Sequence, residues 1–271
     1  MKALTKIHRS MTVISAICCR ECIVMASDSR TTEQEEIRDD ATKLWIVPTK
    51  TGNDCVCGLS GRTESSAWIL DRLLSRSLNN EANLVQSVDD TFRAYRHYLI
   101  TQKYGCSWAE LNSFLLKDGM DCELMYCFYS DGSPRIYTIS LEESVSYRRS
   151  HDYWCIGIGR FLANHFLREF GIGPMPEDVA VYTSIYTVEE VKKSVTGCGG
   201  PPQVGIVRRN DGFGAELKGP IFCEHVANEL KKSLGTELET WKQKLHYLVS
   251  GASKGYPKVI QDYGKGPQAR K

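Results

Sequence analysis

Three side chains in the first quarter of the sequence are of types that together can activate a hydroxyl group for attack on a carbonyl carbon. They are Thr12 at the head of a β-like segment, Asp28 at the end of the next one, and Lys43 just before a third. A hairpin would bring Asp28 back beside Thr12, and a lysine on an adjoining strand could reach both. A threonine hydroxyl is a weak nucleophile, and a free α-amine on the same residue can take its proton. The pattern therefore predicts covalent catalysis by Thr12 with its own amine as the base.

The charged residues and a glycine turn have defined parts in this chemistry. An α-amine titrates near pH ~8, and a charged Lys43 beside it would favour the deprotonated hydroxyl and keep the basicity of the amine near the working range. Asp28 would hold Lys43 by a charge-assisted hydrogen bond. A backbone N–H at Gly61 could bind the oxyanion. Each residue also has an ordinary interpretation, as a strand start, a solvated turn or a surface lysine, and only the combined spacing favours a site.

The periodicity of the apolar residues predicts the elements that must position these side chains. Alternating or continuous apolar runs predict strands at 11–26 (a hairpin), 44–47, 55–61, 123–129, 134–140, 151–158, 203–209 and 213–217. Helical spacing predicts helices at 64–78, 83–102, 161–170, 177–194 and 222–249. Because strands and helices come in blocks, we expect an α+β fold, a four-layer αββα sandwich of two antiparallel sheets flanked by helices.

Composition limits the class of protein. The 271 residues are 42% hydrophobic and 25% charged, which is typical of a folded domain, and the net charge of +1 gives no reason to expect binding to nucleic acid. No apolar run approaches the ~20 residues that cross a bilayer, and the first residues have no apolar core of a secretory signal, so no membrane association is expected. The 11 scattered cysteines favour reduced thiols and a cytoplasmic location.

Two cysteine clusters are candidates for a metal site. They are Cys18-Cys19-x-x-Cys22 and Cys55-x-Cys57, and both lie in β-like segments where neighbouring side chains point to opposite faces. A structural zinc site usually needs two pairs of matched spacing. We therefore expect no metal, and no cofactor is needed for the chemistry above.

The stretch from Thr12 to Leu78 resembles the start of a proteasome β-type subunit, an N-terminal nucleophile (Ntn) hydrolase, and it also resembles bacterial homologues of the proteasome. The pattern is the threonine, sixteen residues to Asp28 within ASDSR, fifteen more to Lys43, and a strand that ends GLSG at 58–61. The resemblance resumes at two later motifs, IGIG at 156–159 and CGGPPQVGIV at 198–207.

The resemblance implies a role for each matching residue. Thr12 would be the nucleophile with its α-amine as base, Asp28 and Lys43 the charged partners, and Gly61 the oxyanion-hole glycine. The residues that fall where the family lines its specificity pocket are Thr31, Ala41, Leu59 and Thr63. This small and mainly neutral set would suit a modest apolar side chain of the substrate.

The sequence departs from the family pattern at several positions. Ile158 stands where the family commonly has a serine between two glycines, and Val195 and Cys198 stand where it often has an aspartate and a serine before the Gly-Gly turn. Residue 11 is methionine, where self-cleaving members usually have glycine. Residues 1–11 are therefore expected to be a leader that is removed, or translation starts at Met11 and an aminopeptidase removes that residue.

The predicted organisation is this start segment, an Ntn-hydrolase domain at 12–220, and a C-terminal helical extension with a loose tail at 221–271. The predicted function is a threonine-type endopeptidase, active once Thr12 is the N-terminus, that cleaves peptides or unfolded proteins inside a homo-oligomeric ring. A separate ATPase is a candidate partner because the chain has no P-loop motif. Two alternatives are an inactive ring subunit with a structural role and a hydrolase of the same fold that acts on small amides.

Overall fold

The computed structural model describes most of the chain between residues 12 and 234. The ranges are 12–33, 36–50, 54–76, 81–118, 122–130, 132–141, 146–147, 152–170, 175–209 and 215–234. The predicted leader at 1–11, the predicted tail, and the part of the predicted helix 222–249 beyond residue 234 lie outside the described residues.

Strands and helices alternate in blocks, as predicted. The strands are β1 (Ile14–Cys18), β2 (Cys22–Ser27), β3 (Thr31–Glu33), β4 (Glu36–Arg38), β5 (Leu44–Val47), β6 (Cys55–Ser60), β7 (Glu123–Ser130), β8 (Ser133–Ser140), β9 (Ser146–Tyr147), β10 (Tyr153–Ile156), β11 (Gln203–Arg208) and β12 (Ala215–Lys218). The helices are α1 (Thr63–Leu74), α2 (Glu81–Tyr98), α3 (Trp108–Asp118), α4 (Arg160–Glu169), α5 (Glu177–Ser194) and α6 (Pro220–Leu234). A π-helical segment, Leu99–Tyr104, continues α2.

The two large sheets of the described residues are antiparallel throughout. The first has the strand order β10-β1-β2-β11-β12 and the second β5-β6-β7-β8-β9, while β3 and β4 form a separate hairpin. The predicted α+β class with two antiparallel sheets is confirmed.

Three apolar clusters show how these elements are layered. One is shared by the two sheets and contains Ile14 and Met25 from the first and Val56 and Met125 from the second. A second cluster joins the first sheet to α4, α5 and α6, and a third joins the second sheet to α1 and α2. This order of layers is compatible with the predicted αββα sandwich. Burial of these clusters is the main force that stabilises the fold.

A glycine allows the two sheets to approach closely at one end. Gly58 pairs with Leu44 in the second sheet, and a β-carbon on Gly58 would lie 3.0 Å from side-chain atoms of both Ile14 and Leu44. Such a distance is tighter than most contacts that real β-carbons make, so a neighbouring side chain would have to move. The missing side chain therefore lets the side chains of Ile14 from β1 and Leu44 from β5 pack against the backbone of β6.

Two local features differ from the prediction. The β3–β4 hairpin lies in a stretch for which no strand was predicted, because all of β4 is exposed and its residues carry no apolar alternation. Helix α3 was not predicted. At the start of α1, Arg62 occupies the N-cap position and makes no capping hydrogen bond with its side chain.

Candidate active site

The structure brings Thr12, Asp28 and Lys43 into mutual contact in the interior. The Lys43 ammonium donates to Thr12 Oγ1 and to Asp28 Oδ1, and each Nζ–O distance is 2.9 Å. Thr12 and Asp28 are fully buried and Lys43 is 3% exposed. The β1–β2 hairpin places the first two side by side, since Ile14 pairs with Ser27 and the Asp28 N–H donates to the Val13 carbonyl. Lys43 comes from the segment that leads into β5 of the other sheet.

The Asp28 carboxylate is held by the backbone of two distant segments. Its Oδ1 accepts from the Val13 N–H at 3.1 Å, and its Oδ2 accepts from the Gly199 N–H at 3.0 Å. The Ser29 N–H in turn donates to the Gly199 carbonyl. Both carboxylate oxygens therefore have donors, and the orientation of Asp28 towards Lys43 is fixed.

Two opposing effects act on the pKa of Lys43. Burial lowers its pKa below the ordinary value, because a charged ammonium loses its hydration, and the negative charge of Asp28 opposes this shift. The lowering dominates. Lys43 therefore gives up a proton more readily than a surface lysine while its contact with Asp28 favours the charged form.

A glycine turn lies against the backbone of Thr12. Gly157 has a φ of +83°, and a β-carbon there would lie 2.3 Å from the Thr12 carbonyl oxygen, which excludes every other residue type from this position without movement. The Gly159 N–H donates to the same carbonyl oxygen at 3.2 Å. The turn that follows β10 therefore fixes the backbone of Thr12 from the side opposite to Asp28.

Sequence reasoning missed two polar side chains that support the site. The Glu123 carboxylate accepts from the Gly157 N–H at 2.8 Å and from Arg160 at 2.8 Å. The Gln203 amide accepts from the Lys43 N–H at 2.9 Å and donates to the Ala41 carbonyl at 2.6 Å. Both residues begin a strand, where a polar side chain normally indicates solvent, so nothing in the sequence identified their partners.

The other predicted site residues lie in varied environments. Gly61 directly follows β6 and has a φ of +129°. Thr31 and Ala41 are half-buried, and Thr63 is exposed at the first position of α1. Leu59 is buried in the cluster between the second sheet and its helices. The Leu59 side chain therefore lies on the helix side of the second sheet. The roles of these residues in substrate binding stay predictions.

The residues that depart from the family pattern do not form a polar network. Ile158 is 41% exposed at the tip of the glycine turn, and Val195 packs on the cluster of the first sheet and its helices. Cys198 is buried, and burial, with a smaller contribution from Asp28, raises the pKa of its thiol to about 12. Cys198 is therefore a neutral thiol at neutral pH.

Neither a metal-binding cluster nor a membrane-spanning helix occurs in the part of the chain that the structure describes. There, no group of three or more His, Cys, Asp and Glu side chains is arranged to hold a metal ion. The helices of this part also include none with the length and apolar character that a bilayer crossing requires.

Comparison with solved structures identifies proteins of the same fold. Neither a protein-family model nor a curated protein matches the sequence. Anbu from Yersinia bercovieri, described as an ancestral beta-subunit, is 16% identical with a TM-score of 0.63, over 84% of this chain and 96% of that one. A helical assembly of the Anbu complex from Pseudomonas aeruginosa gives 16% identity and a TM-score of 0.64, over 91% and 99%. Anbu from Hyphomicrobium sp. gives 14% and 0.62, over 84% and 97%.

These neighbours correct the family suggested by the sequence. The assignment to the proteasome β-type subunits and their bacterial homologues is wrong, because the structural neighbours are Anbu proteins, a proteasome-like, Ntn-hydrolase-related family distinct from the proteasome β subunits themselves. The motifs around Thr12, Asp28 and Lys43 describe a local arrangement of a strand hairpin and a neighbouring strand. Proteasome-like folds can share that arrangement, so it does not separate one such family from another.

Proposed function

We propose that this chain is a threonine-type hydrolase of amide bonds, with Thr12 as the nucleophile and the α-amine of Thr12 as the general base. One observation carries the proposal. The Lys43 ammonium lies 2.9 Å from both Thr12 Oγ1 and Asp28 Oδ1, inside the protein, where water does not screen the charges.

The proposed reaction has two stages. The α-amine takes the proton of the Thr12 hydroxyl, and Oγ1 forms a bond to the substrate carbonyl carbon. The backbone N–H of Gly61 binds the resulting oxyanion, a contribution of about 3 kcal/mol in comparable sites. The α-ammonium then gives its proton to the leaving amine, and an ester to Thr12 remains. Water, activated by the same α-amine, hydrolyses this ester and restores the hydroxyl.

The charged pair has a separate part in this reaction. Lys43 donates a hydrogen bond to Oγ1 and stabilises the negative charge that develops there as the proton leaves. Asp28 orients Lys43 through a contact that does not involve the substrate. We assign the substrate pocket to Thr31, Ala41 and Thr63, with Leu59 supporting β6 from the side of its helices. We assign the substrate class to peptides or unfolded proteins with a modest apolar side chain.

The proposal also covers the assembly of this chain and its location in the cell. The Pseudomonas neighbour is described as a helical assembly, and we propose that this chain also assembles from many copies, as a ring or as a helix, with a separate ATPase as a candidate partner. Electron microscopy of the purified protein distinguishes a closed ring from a helical particle. The 11 cysteines are all free thiols, which favours the reducing environment of the cytoplasm.

A second candidate is a catalytically inactive subunit with a structural role. It is favoured by the apolar side chains of Ile158 and Val195, which contribute no hydroxyl or carboxylate near the amine of Thr12. In that case the contacts of Thr12, Asp28 and Lys43 would only stabilise the fold.

Mass spectrometry and peptide hydrolysis test the proposal. Intact mass shows whether Thr12 is the first residue of the purified protein, and a panel of short peptides with a fluorogenic amide measures hydrolysis. We expect Thr12→Ala to abolish hydrolysis, while Thr101→Ala, a change at an exposed threonine of the π-helical segment, leaves it unchanged.

The outcomes separate the candidates. Full activity with residues 1–11 still attached, or activity that survives Thr12→Ala, rejects the mechanism because the amine or the nucleophile is then dispensable. A protein with Thr12 exposed that cleaves neither peptides nor small amides is the inactive subunit. Cleavage of small amides alone narrows the substrate class and keeps the mechanism.

A further inference from the structure

The candidate site depends on the spacing between two sheets. Thr12 and Asp28 belong to the first sheet, whereas Lys43 enters β5 of the second. The layer between the sheets is apolar, and apolar packing has little directionality. Catalytic groups must be held within about 0.5 Å of their working geometry. Something more directional than this layer has to hold the Lys43 ammonium at hydrogen-bond distance from Thr12.

The side chain of Gln203 links the first sheet to the second sheet next to Lys43. Gln203 is the first residue of β11 in the first sheet, and its side-chain amide reaches the segment that leads into β5 of the second. The amide accepts from the Lys43 N–H at 2.9 Å and donates to the Ala41 carbonyl at 2.6 Å. It therefore takes the place of one peptide group of a neighbouring strand, and it fixes both the position and the rotation of the Lys43 backbone.

The side chain of Glu123 links the sheets in the reverse sense, from the second sheet to the first. Glu123 is the first residue of β7 in the second sheet, and its carboxylate accepts from the Gly157 N–H, beyond the end of β10 in the first. Its other oxygen accepts from Arg160, so the charge is paired. The turn that begins at Gly157 holds the Thr12 carbonyl through the Gly159 N–H. Glu123 therefore fixes Thr12 relative to the second sheet.

We infer that Gln203 and Glu123 are positioning residues, which together set the distance between the Lys43 ammonium and the Thr12 hydroxyl. Neither side chain takes part in bond making. The inference rests on the proposed function for its effect on rate, and on the geometry alone for its effect on distance.

The first experiment measures the rate of hydrolysis. In Gln203→Ala the segment 41–43 loses both hydrogen bonds, and in Gln203→Glu an oxygen replaces the donor that faces the Ala41 carbonyl. We expect kcat to fall about ten- to a hundredfold in both, the loss typical of a displacement near 1 Å, with KM nearly unchanged. Glu123→Gln should have a smaller effect of the same kind, because its amide keeps one acceptor. The controls are Gln86→Ala and Glu64→Gln, which alter exposed contacts with Asp90 and Lys103 and should keep the wild-type rate.

A pH profile separates positioning from a general loss of structure. When Lys43 moves away, its positive charge no longer disfavours protonation of the nearby α-amine of Thr12, so the acid limb of kcat/KM should move to higher pH. If both residues set one distance, the double variant should lose less than the product of the two single losses. A decrease in rate that only follows the folded fraction, with the pH profile unchanged, would overturn the inference.

Crystal structures of Gln203→Ala and Glu123→Gln give a readout that does not need activity. We expect the Lys43 Nζ to Thr12 Oγ1 distance to exceed ~3.5 Å, beyond a hydrogen bond. An unchanged distance in both variants overturns the inference even if Thr12→Ala is inactive. A lengthened distance supports it even if Thr12→Ala retains hydrolysis and the proposed function fails. Gln203→Asn serves if the alanine variant does not fold, because its shorter amide cannot make both contacts.

Discussion

Replacement of Asp28 by asparagine should destabilise the protein strongly, although the two side chains have almost the same shape. The new amide can present its oxygen at the Oδ1 position, where it still accepts from Val13 and Lys43. Its NH₂ group then faces the Gly199 N–H, which formerly donated to Oδ2. A buried donor without an acceptor costs about 1–3 kcal/mol. The Lys43 ammonium also loses its counter-charge, and breaking a buried pair in this way costs about 3–5 kcal/mol in total.

The pH dependence of this deficit gives the decisive test. Burial already lowers the pKa of Lys43 and the Asp28 charge opposes the shift, so removal of that charge lowers the pKa further. Over a wider range of pH the folded variant then binds fewer protons than its unfolded chain, and its free energy of unfolding rises with pH. The deficit against wild type should therefore shrink between about pH 7 and about pH 10.

Urea unfolding followed by circular dichroism measures the free energies for Asp28→Asn and a matched control. The control is Asp39→Asn, because Asp39 forms an ion pair with Arg30 that is half exposed and should contribute less than about 1 kcal/mol. A deficit below about 1 kcal/mol for Asp28→Asn, or one that does not change with pH, would refute the reasoning about the buried pair.

Three further predictions concern the same region and the cysteines. Gly157→Ala should lower the melting temperature far more than Gly105→Ala. Both glycines have a positive φ, but only a β-carbon at Gly157 would meet another atom, the Thr12 carbonyl oxygen. Equal decreases in melting temperature by calorimetry would contradict this. If the Lys43 charge is needed for hydrolysis, the alkaline limb of the rate profile should lie below the ordinary lysine value of 10.5, and a limb at or above that value would count against the lowered pKa. Among the 11 thiols, Cys106 should react first with a disulfide reagent at mild pH. Only Cys106 and Cys18 are half-buried, and burial raises the pKa of the Cys18 thiol to about 12; peptide mapping of the labelled protein checks the order.

The sequence was most informative where apolar alternation and spacing agreed. The β1–β2 hairpin and the approach of Lys43 to Thr12 involve only residues 12–43, a stretch of thirty-two positions. Local hairpins need no knowledge of distant segments, so the contact of Asp28 with Thr12's neighbour Val13 could be expected from alternation and a turn.

The remainder of the site depends on partners far apart in sequence. Gly199 lies 171 residues from Asp28, and Gln203 lies 160 residues from Lys43. A polar side chain at the start of a strand carries no signal of which backbone it will bind. The exposed β3–β4 hairpin was missed for a related reason, since its side chains have no buried face to produce a pattern. Family assignment failed because the motif describes only the local site.

The hydrogen bond from Gly199 to Asp28 has a consequence for protein synthesis. The ribosome makes Thr12, Asp28 and Lys43 early, but the backbone donor for Asp28 Oδ2 and the amide that holds Lys43 are added only with Gly199 and Gln203. Until then the aspartate and lysine lack part of their supporting contacts, and such long-range pairings form late in folding. A nascent chain therefore carries Thr12, Asp28 and Lys43 without the scaffold that joins them until most of its length has been translated.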